Sequence, residues 1–482
     1  MKTVAALFFV ALAIRLAAAW HWQFDGLYGQ DAFAYFDQAV AITHNLPLGQ
    51  LPPLNFFWPD GYPLLSAISM VIVGQTALAG QLVSVLCGAA LAPLAYLLSR
   101  ELFPQAHPRA GLIAGLIVAV AGQAILSSIV IMADIPALFW ATLSAWLLVS
   151  AWRRPRSGWR LIGASIALGM AIITRWLFVV LVPAFGLYAL YQIKRNQRSW
   201  KLIVLPIISG ALIVLSQVLL SLNRPEGLVH SWLLGWDPVN AMRRQFDNVD
   251  GHFEYELPTG VFYAEPAGHP AYLFPLFGLA ALWGLVRVWR NRNWGALILL
   301  IGWGGAVYLF LAGIPYQNFR FGLTLYTPIV LLAGLGTSEL WDRIHIRWVV
   351  PALTAASLMA MLLWAYPLLD GFLTLQNQTK AIVHEVAQSL PPEATLVTFG
   401  LTLTAQHYTH LDVIELFNQT ADSLDTLTRD RSQTFLLIDT ANIEQQWRGR
   451  EPDANVRWLH DHATLIPITS YRSYTLFQVR RP

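Results

Sequence analysis

The sequence predicts a polytopic α-helical membrane protein with a water-exposed α/β domain at its C-terminal end, on three observations. Charged residues make up 12% of the 482 residues, against roughly 25% in soluble domains, and the mean hydropathy is +0.50. Apolar runs close to the ~20 residues needed to cross hydrocarbon recur from Ala5 to Tyr366, with the charges gathered between them. After Asp370 the texture becomes ordinary mixed globular sequence. Many of the 20 tryptophans lie near the ends of apolar runs, as interfacial anchors do. A net charge of +3 with no Lys/Arg stripe excludes a nucleic-acid partner. The one cysteine, Cys87, excludes an intramolecular disulfide framework.

About eleven spans follow in order: Val4–Trp20, Gln75–Leu98, Ala110–Leu126, Ile135–Ala151, Leu161–Ile173, Leu177–Tyr191, Leu202–Leu222, Ala271–Val288, Trp294–Ala312, Phe321–Leu340 and Trp348–Tyr366. Backbone polar groups in lipid must be satisfied within the segment, so these runs are helices. Thr174 and Arg175 divide one long apolar stretch into the fifth and sixth. Lys2, the apolar run after it and Ala17-Ala18-Ala19 also fit a cleavable secretory signal, which would leave the remaining topology unchanged.

Basic residues orient the chain. One set of loops holds Arg100, Arg109, Arg153, Arg154, Arg156, Arg160, Lys194, Arg195, Arg198 and Lys201, then Arg287, Arg290, Arg292, Arg343 and Arg347. The alternate loops hold only Arg175, Arg224, Arg243, Arg244 and Arg320. The positive-inside rule places the first set in the cytoplasm of a plasma (inner) membrane protein. An odd number of spans then puts the N-terminus inside and the C-terminal domain outside.

The expected division is a transmembrane module over 1–368 and a soluble extracytoplasmic α/β domain over 369–482. The module has two long outside loops, 21–74 and 223–270. Within the first, Tyr62–Val73 reads as an interfacial or re-entrant helix. In the C-terminal domain Thr379–Leu390, Thr402–Thr409 and Ser423–Asp430 read as helices. Ala394–Phe399, Val413–Leu416 and Thr434–Ile438 read as strands, and Thr464–Thr469 with Tyr474–Val479 as a final hairpin. That domain carries no phosphate-binding Gly loop, metal-ligand cluster or nucleophile elbow, and its plain reading is a lid or docking platform.

The residues suited to chemistry sit at span ends on the outer face. Asp31 and Asp37 follow the first span among aromatics, and Asp31 is equally placed to cap a helix over Ala32–Thr43. Trp58-Pro59-Asp60-Gly61-Tyr62-Pro63 reads as a turn into a Pro-initiated helix, with Asp60 a turn residue. Asp134, before Ile135-Pro136, fits an N-cap. Arg175 and Arg320 lie beside apolar runs, where a guanidinium is costly unless it is partnered or snorkels. Carboxylates activate a hydroxyl or amine, and arginines grip a phosphate leaving group bidentately. A lipid phosphate would present such a group at this depth, which fits the absence of any Rossmann or P-loop pattern.

At these positions the chain resembles the GT-C glycosyltransferases, in the bacterial branch related to protein O-mannosyltransferases and aminoarabinose transferases. The resemblance rests on Asp31 with Phe33 and Tyr35, on Trp58–Leu65 and on Asp134–Pro136. The Thr174-Arg175 step and the Arg320–Pro328 stretch add to it. Together these cover most of Met1–Gly336. It implies a mannosyltransferase-like enzyme of the cell envelope, moving a sugar from a polyprenyl-phosphate donor to a protein, lipid or glycan acceptor outside. By resemblance Asp31 is the catalytic base or the carboxylate that orients the acceptor, and Asp134 the second acid, with Arg320 and Arg175 on the donor phosphate. Tyr35, Asp37, Trp58, Asp60 and Tyr62 support them. The family's common Asp-Glu pair is here Asp31-Ala32, and Trp58 stands where some relatives have a phosphate-binding Lys. No cofactor and no metal ligand set is predicted, while members differ on use of a divalent metal. The competing readings are a secondary transporter, against which no half-to-half repeat is found, and a non-catalytic assembly subunit on the same fold.

Overall fold

The structure, a computed structural model, describes residues 1–50, 58–154, 158–222, 235–430 and 433–480. Arg156, Arg224 and the start of the second outside loop lie outside the described residues. The chain divides into two units, Met1–Leu27 with Ala34–Met242 and Leu257–Gly371, and Tyr28–Phe33 with Arg243–Glu256 and Phe372–Pro482.

The first unit is helical. Its helices are α1 (Lys2–Trp22), α2 (Asp31–Asn45, whose first turn belongs to the other unit), α3 (Gly61–Val73) and α4 (Ala77–Leu102). Next come α5 (Arg109–Val120), α6 (Gly122–Ser128), α7 (Asp134–Ala151), α8 (Gly158–Thr174), α9 (Leu181–Arg195) and α10 (Val204–Leu222). The last are α11 (Thr259–Ala264), α12 (Pro275–Arg290), α13 (Trp294–Gly313), α14 (Tyr326–Arg343) and α15 (Val349–Ser389). Each of the eleven expected spans falls on one of these helices, except the third, which falls on α5 and α6 together, and not all reach crossing length. Among the described residues eight helices are long and apolar enough to cross a membrane, and α5 with α6, bent by 59°, makes a ninth. The other two, α8 and α12, have 17 and 16 residues. Helix α3, with 13 residues, rises only ~20 Å against a hydrocarbon core of ~30 Å.

The third expected span is the main departure within this unit. Ala121 is extended, with φ −65° and ψ 121°, and separates α5 from α6. The carbonyls that the break frees find other donors. Arg15, fully buried on α1, reaches Ala119 O and Val118 O, each at 3.4 Å, and its Nε donates to Ser128 Oγ at 3.0 Å. The Tyr326 hydroxyl adds a second donor, at 3.2 Å, to Ile117 O, which already accepts from the Ala121 amide at 3.1 Å. Irregular backbone survives at membrane depth only when satisfied in this way.

In the second unit a five-stranded sheet runs in the order β4-β3-β5-β7-β6. Its strands are β3 (Thr395–Thr398), β4 (Asp412–Glu415), β5 (Thr434–Asp439), β6 (Thr464–Tyr471) and β7 (Tyr474–Arg480); β1 and β2 form a separate hairpin, given below. β3 pairs parallel with β4 and β5, while β7 runs antiparallel to β5 and β6. Alternation builds two cores. Leu396, Phe435 and Leu437 pack with Val383 and Val386 of α15. Val397, Leu436 and Ile438 pack on the opposite face with Leu424, Leu427, Val456 and Leu459. The latter four come from α17 (Ala421–Asp430) and α19 (Glu451–His462), which follow α16 (Thr402–Tyr408) and bracket α18 (Thr440–Gln445). Both faces are covered, as a sheet with parallel strands requires.

Two features of this unit stand apart from the expected division. Its membership includes Tyr28–Phe33 and Arg243–Glu256, which the sequence placed in the transmembrane module. The second segment forms a hairpin, β1 (Gln245–Asn248) with β2 (Gly251–Glu254), tied to Gln446 at the C-terminal cap of α18 and to Arg450 at the N-terminal cap of α19. His252 N donates to Gln446 O at 2.6 Å, and Arg450 pairs with Asp247 at 3.1 Å. The ring of Phe33 packs on His407 and Tyr408, 5.5 and 6.2 Å between centroids. The expected boundary at 368/369 also falls inside α15, a single 41-residue helix carrying Pro367 within it.

Candidate active site

The first unit gathers Asp134, Arg175 and Arg320 at one point. Asp134 opens α7 and is only 1% exposed; it is the first helical residue, with Ala133 at the cap, and makes no capping hydrogen bond. The N-cap expected at this position is therefore not formed. The carboxylate faces guanidiniums instead. Arg175 Nη1 lies 2.5 Å from Oδ1, and Arg320 Nη1 lies 3.9 Å from Oδ2. Phe321 lies beneath both cations, at 4.7 Å from Arg175 and 5.7 Å from Arg320. A buried carboxylate needs such partners, and the positive end of the α7 dipole helps it further. One carboxylate and two guanidiniums leave an excess of one positive charge, the sign that attracts a phosphate.

Each arginine is held by its own backbone. α8 stops at Thr174, Arg175 is extended at φ −154° and ψ 115°, and a 3-10 turn over Trp176–Val180 leads into α9. The Thr174-Arg175 step is thus where the long apolar stretch divides. Gly61, opening α3, packs directly on it: a Cβ there would sit 2.6 Å from Thr174 Oγ1 and 2.7 Å from its amide. Arg320 rides on a 3-10 helix, Phe319–Leu325, whose cap residue Asn318 accepts from the Arg320 amide at 3.2 Å. The Trp303 indole donates to Thr324 O at 2.8 Å, and Tyr272 donates its hydroxyl to Phe319 O. The Tyr263 hydroxyl donates to Tyr316 O and accepts from the Asn318 amide, both at 3.1 Å. His269 packs edge-on against Phe319 at 5.0 Å, and burial holds its imidazole below the ordinary value while Glu265 pulls the other way.

The first-loop residues form a second group. Tyr62 is fully buried, donates to Gly80 O at 2.9 Å, shares a 3.0 Å bond with Ser84 Oγ and packs edge-on with Tyr35 at 5.3 Å. Asp60 is the cap residue of α3 and accepts from the Gln38 amide. Trp58 is half-buried and Asp37 exposed. Asp31 is the first residue of α2, which the sequence started one residue later, and it lies in the segment Tyr28–Phe33 of the second unit. Of the expected site residues, then, the structure brings together Asp134, Arg175 and Arg320, and separately Tyr35, Asp60 and Tyr62. Sequence reasoning missed Phe321, Gly61, Gln38 and His269; only the Arg320-Phe321 adjacency carried a local signal. Among the described residues no three His, Cys, Asp or Glu side chains are grouped to hold a metal ion.

Comparison with known proteins agrees with this architecture. The family model described as dolichyl-phosphate-mannose-protein mannosyltransferase matches residues 59–220, roughly a third of the chain. Among solved structures, ArnT from Cupriavidus metallidurans bound to undecaprenyl phosphate superposes with a TM-score of 0.65 at 14% identity, over 98% of this chain and 97% of that one. The Archaeoglobus fulgidus oligosaccharyltransferase tethered with an acceptor peptide gives 0.60 at 12% identity, over 100% and 74%. The archaeal oligosaccharyltransferase AglB from the same organism, in complex with an inhibitory peptide and a dolichol-phosphate, gives 0.58 at 13%, over 98% and 73%. No curated protein matches the chain in sequence. The chain thus has the GT-C membrane fold that its motifs resemble, and it is a multi-pass membrane protein.

Proposed function

We propose that this protein is a glycosyltransferase that takes a sugar from a polyprenyl-phosphate carrier and passes it to an acceptor on the extracytoplasmic side. The observation that carries the reading is the pair of guanidiniums, Arg175 and Arg320, converging on the buried Asp134 inside a GT-C fold. Structures of that fold have been obtained with undecaprenyl phosphate in one case and dolichol-phosphate in another, which supports a lipid phosphate as the ligand. The family model that covers Asp134 and Arg175 is described by a lipid-phosphate sugar donor as well.

The chemistry follows from the charges. An acceptor hydroxyl or amine attacks the anomeric carbon, the bond from that carbon to the phosphate oxygen breaks, and the carrier leaves as a polyprenyl phosphate. Negative charge grows on the leaving phosphate, where Arg175 and Arg320 stabilise it more than they stabilise the bound donor. Asp134, already neutralised by two arginines, has the role of fixing their positions rather than taking a proton. Asp31 is assigned as the base that receives the acceptor proton, by its resemblance to the family's first-loop acid. Asp37, Trp58, Asp60, Tyr35 and Tyr62 belong to the scaffold around the first loop. The N-terminus lies in the cytoplasm and the C-terminal domain outside, on the charge asymmetry of the loops.

The test is transfer from a panel of polyprenyl-phosphate sugars by protein reconstituted in liposomes, with and without a divalent-metal chelator. Arg320→Ala should lower the rate by about 10²–10³, the usual effect of removing one preorganised charge contact. Asp31→Asn should abolish transfer while leaving donor binding intact. Undiminished transfer by Arg320→Ala would remove the phosphate assignment.

A further inference from the structure

A polar cavity lies at the far end of the bundle from the Asp134 cluster. The 18 residues of α7 rise ~27 Å from Asp134, and at their other end Val149, Trp152 and Arg153 line a cavity of about 190 Å³. The last turns of α4 and α9 contribute Glu101, Gln192 and Arg195, and the start of α13 closes it with Asn293. Its volume equals roughly six waters, enough for a phosphate with a short polar substituent.

The charges in it do not cancel. Glu101 is shared by Arg153 at 3.9 Å and Arg154 at 3.4 Å, whereas Arg195 is in no ion pair among the described residues. Glu101 with Arg153, Arg154 and Arg195 leaves an excess of positive charge, the sign that draws a phosphodiester. Last-turn arginines also offset helix C-terminal carbonyls. That role accounts for neither the cavity nor the Trp152 indole N–H, a buried donor without a partner among the described residues. Asn293 is a rigid wall, donating to Leu102 O at 3.1 Å and accepting from the Ala296 amide at 3.3 Å. The remaining wall is apolar, from Leu102, Val149 and Ala296. Helix α9 leads from this cavity toward an apolar surface, since Leu187 and Leu190 on it are 60% and 53% exposed.

We propose that this cavity holds the phosphodiester headgroup of a glycerophospholipid from the leaflet at that end of the bundle, with an acyl chain lying along α9. Arg195 and Arg153 grip the phosphate, and the Trp152 N–H and Gln192 amide meet the rest of the headgroup. The site is separate from the Asp134 cluster and does not depend on the function assigned there.

Delipidated full-length protein in detergent is titrated with palmitoyl-oleoyl phosphatidylglycerol, and separately with glycerol 3-phosphate and inorganic phosphate. Bound lipid is read by native mass spectrometry and stabilisation by thermal melting. The lipid should form a one-to-one adduct and raise the melting temperature, and the soluble phosphates should do neither. Arg153→Gln with Arg195→Gln should weaken the adduct by about ten-fold or more, as expected for lost charge-assisted bonds. Trp152→Phe, which removes only the N–H, should weaken it less, and this variant serves if the double one does not fold. Arg198→Gln, which removes an exposed charge of the same loop outside the cavity, should bind the lipid as the unmodified protein does. Equal binding by the double variant, an equal response to the soluble phosphates, or an equal weakening in Arg198→Gln would each overturn the proposal.

Discussion

Asp134 is the residue on which the site's electrostatics turn. At 1% exposure this carboxylate depends on the two guanidiniums that face it, and each guanidinium in turn depends on it. Removing one member of a buried pair typically costs about 3–5 kcal/mol, and the 14% and 19% exposure of the arginines places this case toward the lower end. Asp134→Asn should therefore lower both the melting temperature and the transfer rate. Replacing the pair together, as Asp134→Leu with Arg175→Leu, should recover much of the stability but none of the transfer. A residue acting as a proton acceptor would instead lose activity at unchanged stability, so the two measurements separate the roles. Gly322 gives an independent handle on Arg320. A Cβ at this position would sit 2.6 Å from Pro266 Cγ and 2.8 Å from the Tyr272 hydroxyl. Gly322→Ala should displace the 3-10 helix and cut the transfer rate by about ten-fold or more without touching a charged group, since small displacements of a catalytic contact are costly.

At the scale of elements, the break between α5 and α6 shows what periodicity leaves hidden. Ala110–Leu126 reads as one apolar span because Ala121 and Gly122 interrupt neither its hydrophobicity nor its length. What makes the bend affordable is Arg15, from α1, supplying donors to carbonyls more than a hundred residues away in sequence. Arg15 itself was hidden inside an expected span, and Gly88 leaves the space it fills, since a Cβ there would come within 2.8 Å of its Nε. Arg15→Leu should destabilise the protein by about 2–4 kcal/mol, from several buried acceptors left without donors, as read by thermal unfolding in detergent. Arg15→Lys should lose less, because an ammonium keeps three donors but cannot span the same acceptors. Elements with local signals were legible. The apolar runs, the Thr174-Arg175 step and the alternation of β3, β5 and β7 all lie within a few residues of one another. The meeting of Asp134 with Arg175 and Arg320 was legible only as three suitable groups on one face. Their pairing, and the cap that Asp134 does not form, depend on packing between helices far apart in the chain. The hairpin over Gln245–Glu254 was missed for the same reason, its anchor being Gln446.

For the whole molecule, the proposed orientation in the membrane rests on an asymmetry that no single helix carries. Fifteen basic residues fall in one set of loops and five in the other, and each alternate loop repeats the bias. A donor phosphate held by Arg175 and Arg320 then lies at the sparsely charged end, and the Glu101–Arg195 cavity at the basic end. The single cysteine makes the arrangement open to direct measurement. With Cys87→Ser as background, Lys194→Cys tests the basic end and Arg472→Cys, in the exposed turn between β6 and β7, tests the C-terminal domain. A membrane-impermeant maleimide applied to intact cells, with the outer membrane opened where there is one, should label the second variant and leave the first unlabelled until the inner membrane is permeabilised. The reverse pattern would move the sugar-transfer site to the cytoplasmic side. It would also require the chain to violate the charge rule at every loop, a cost that no compensating feature of the sequence offsets.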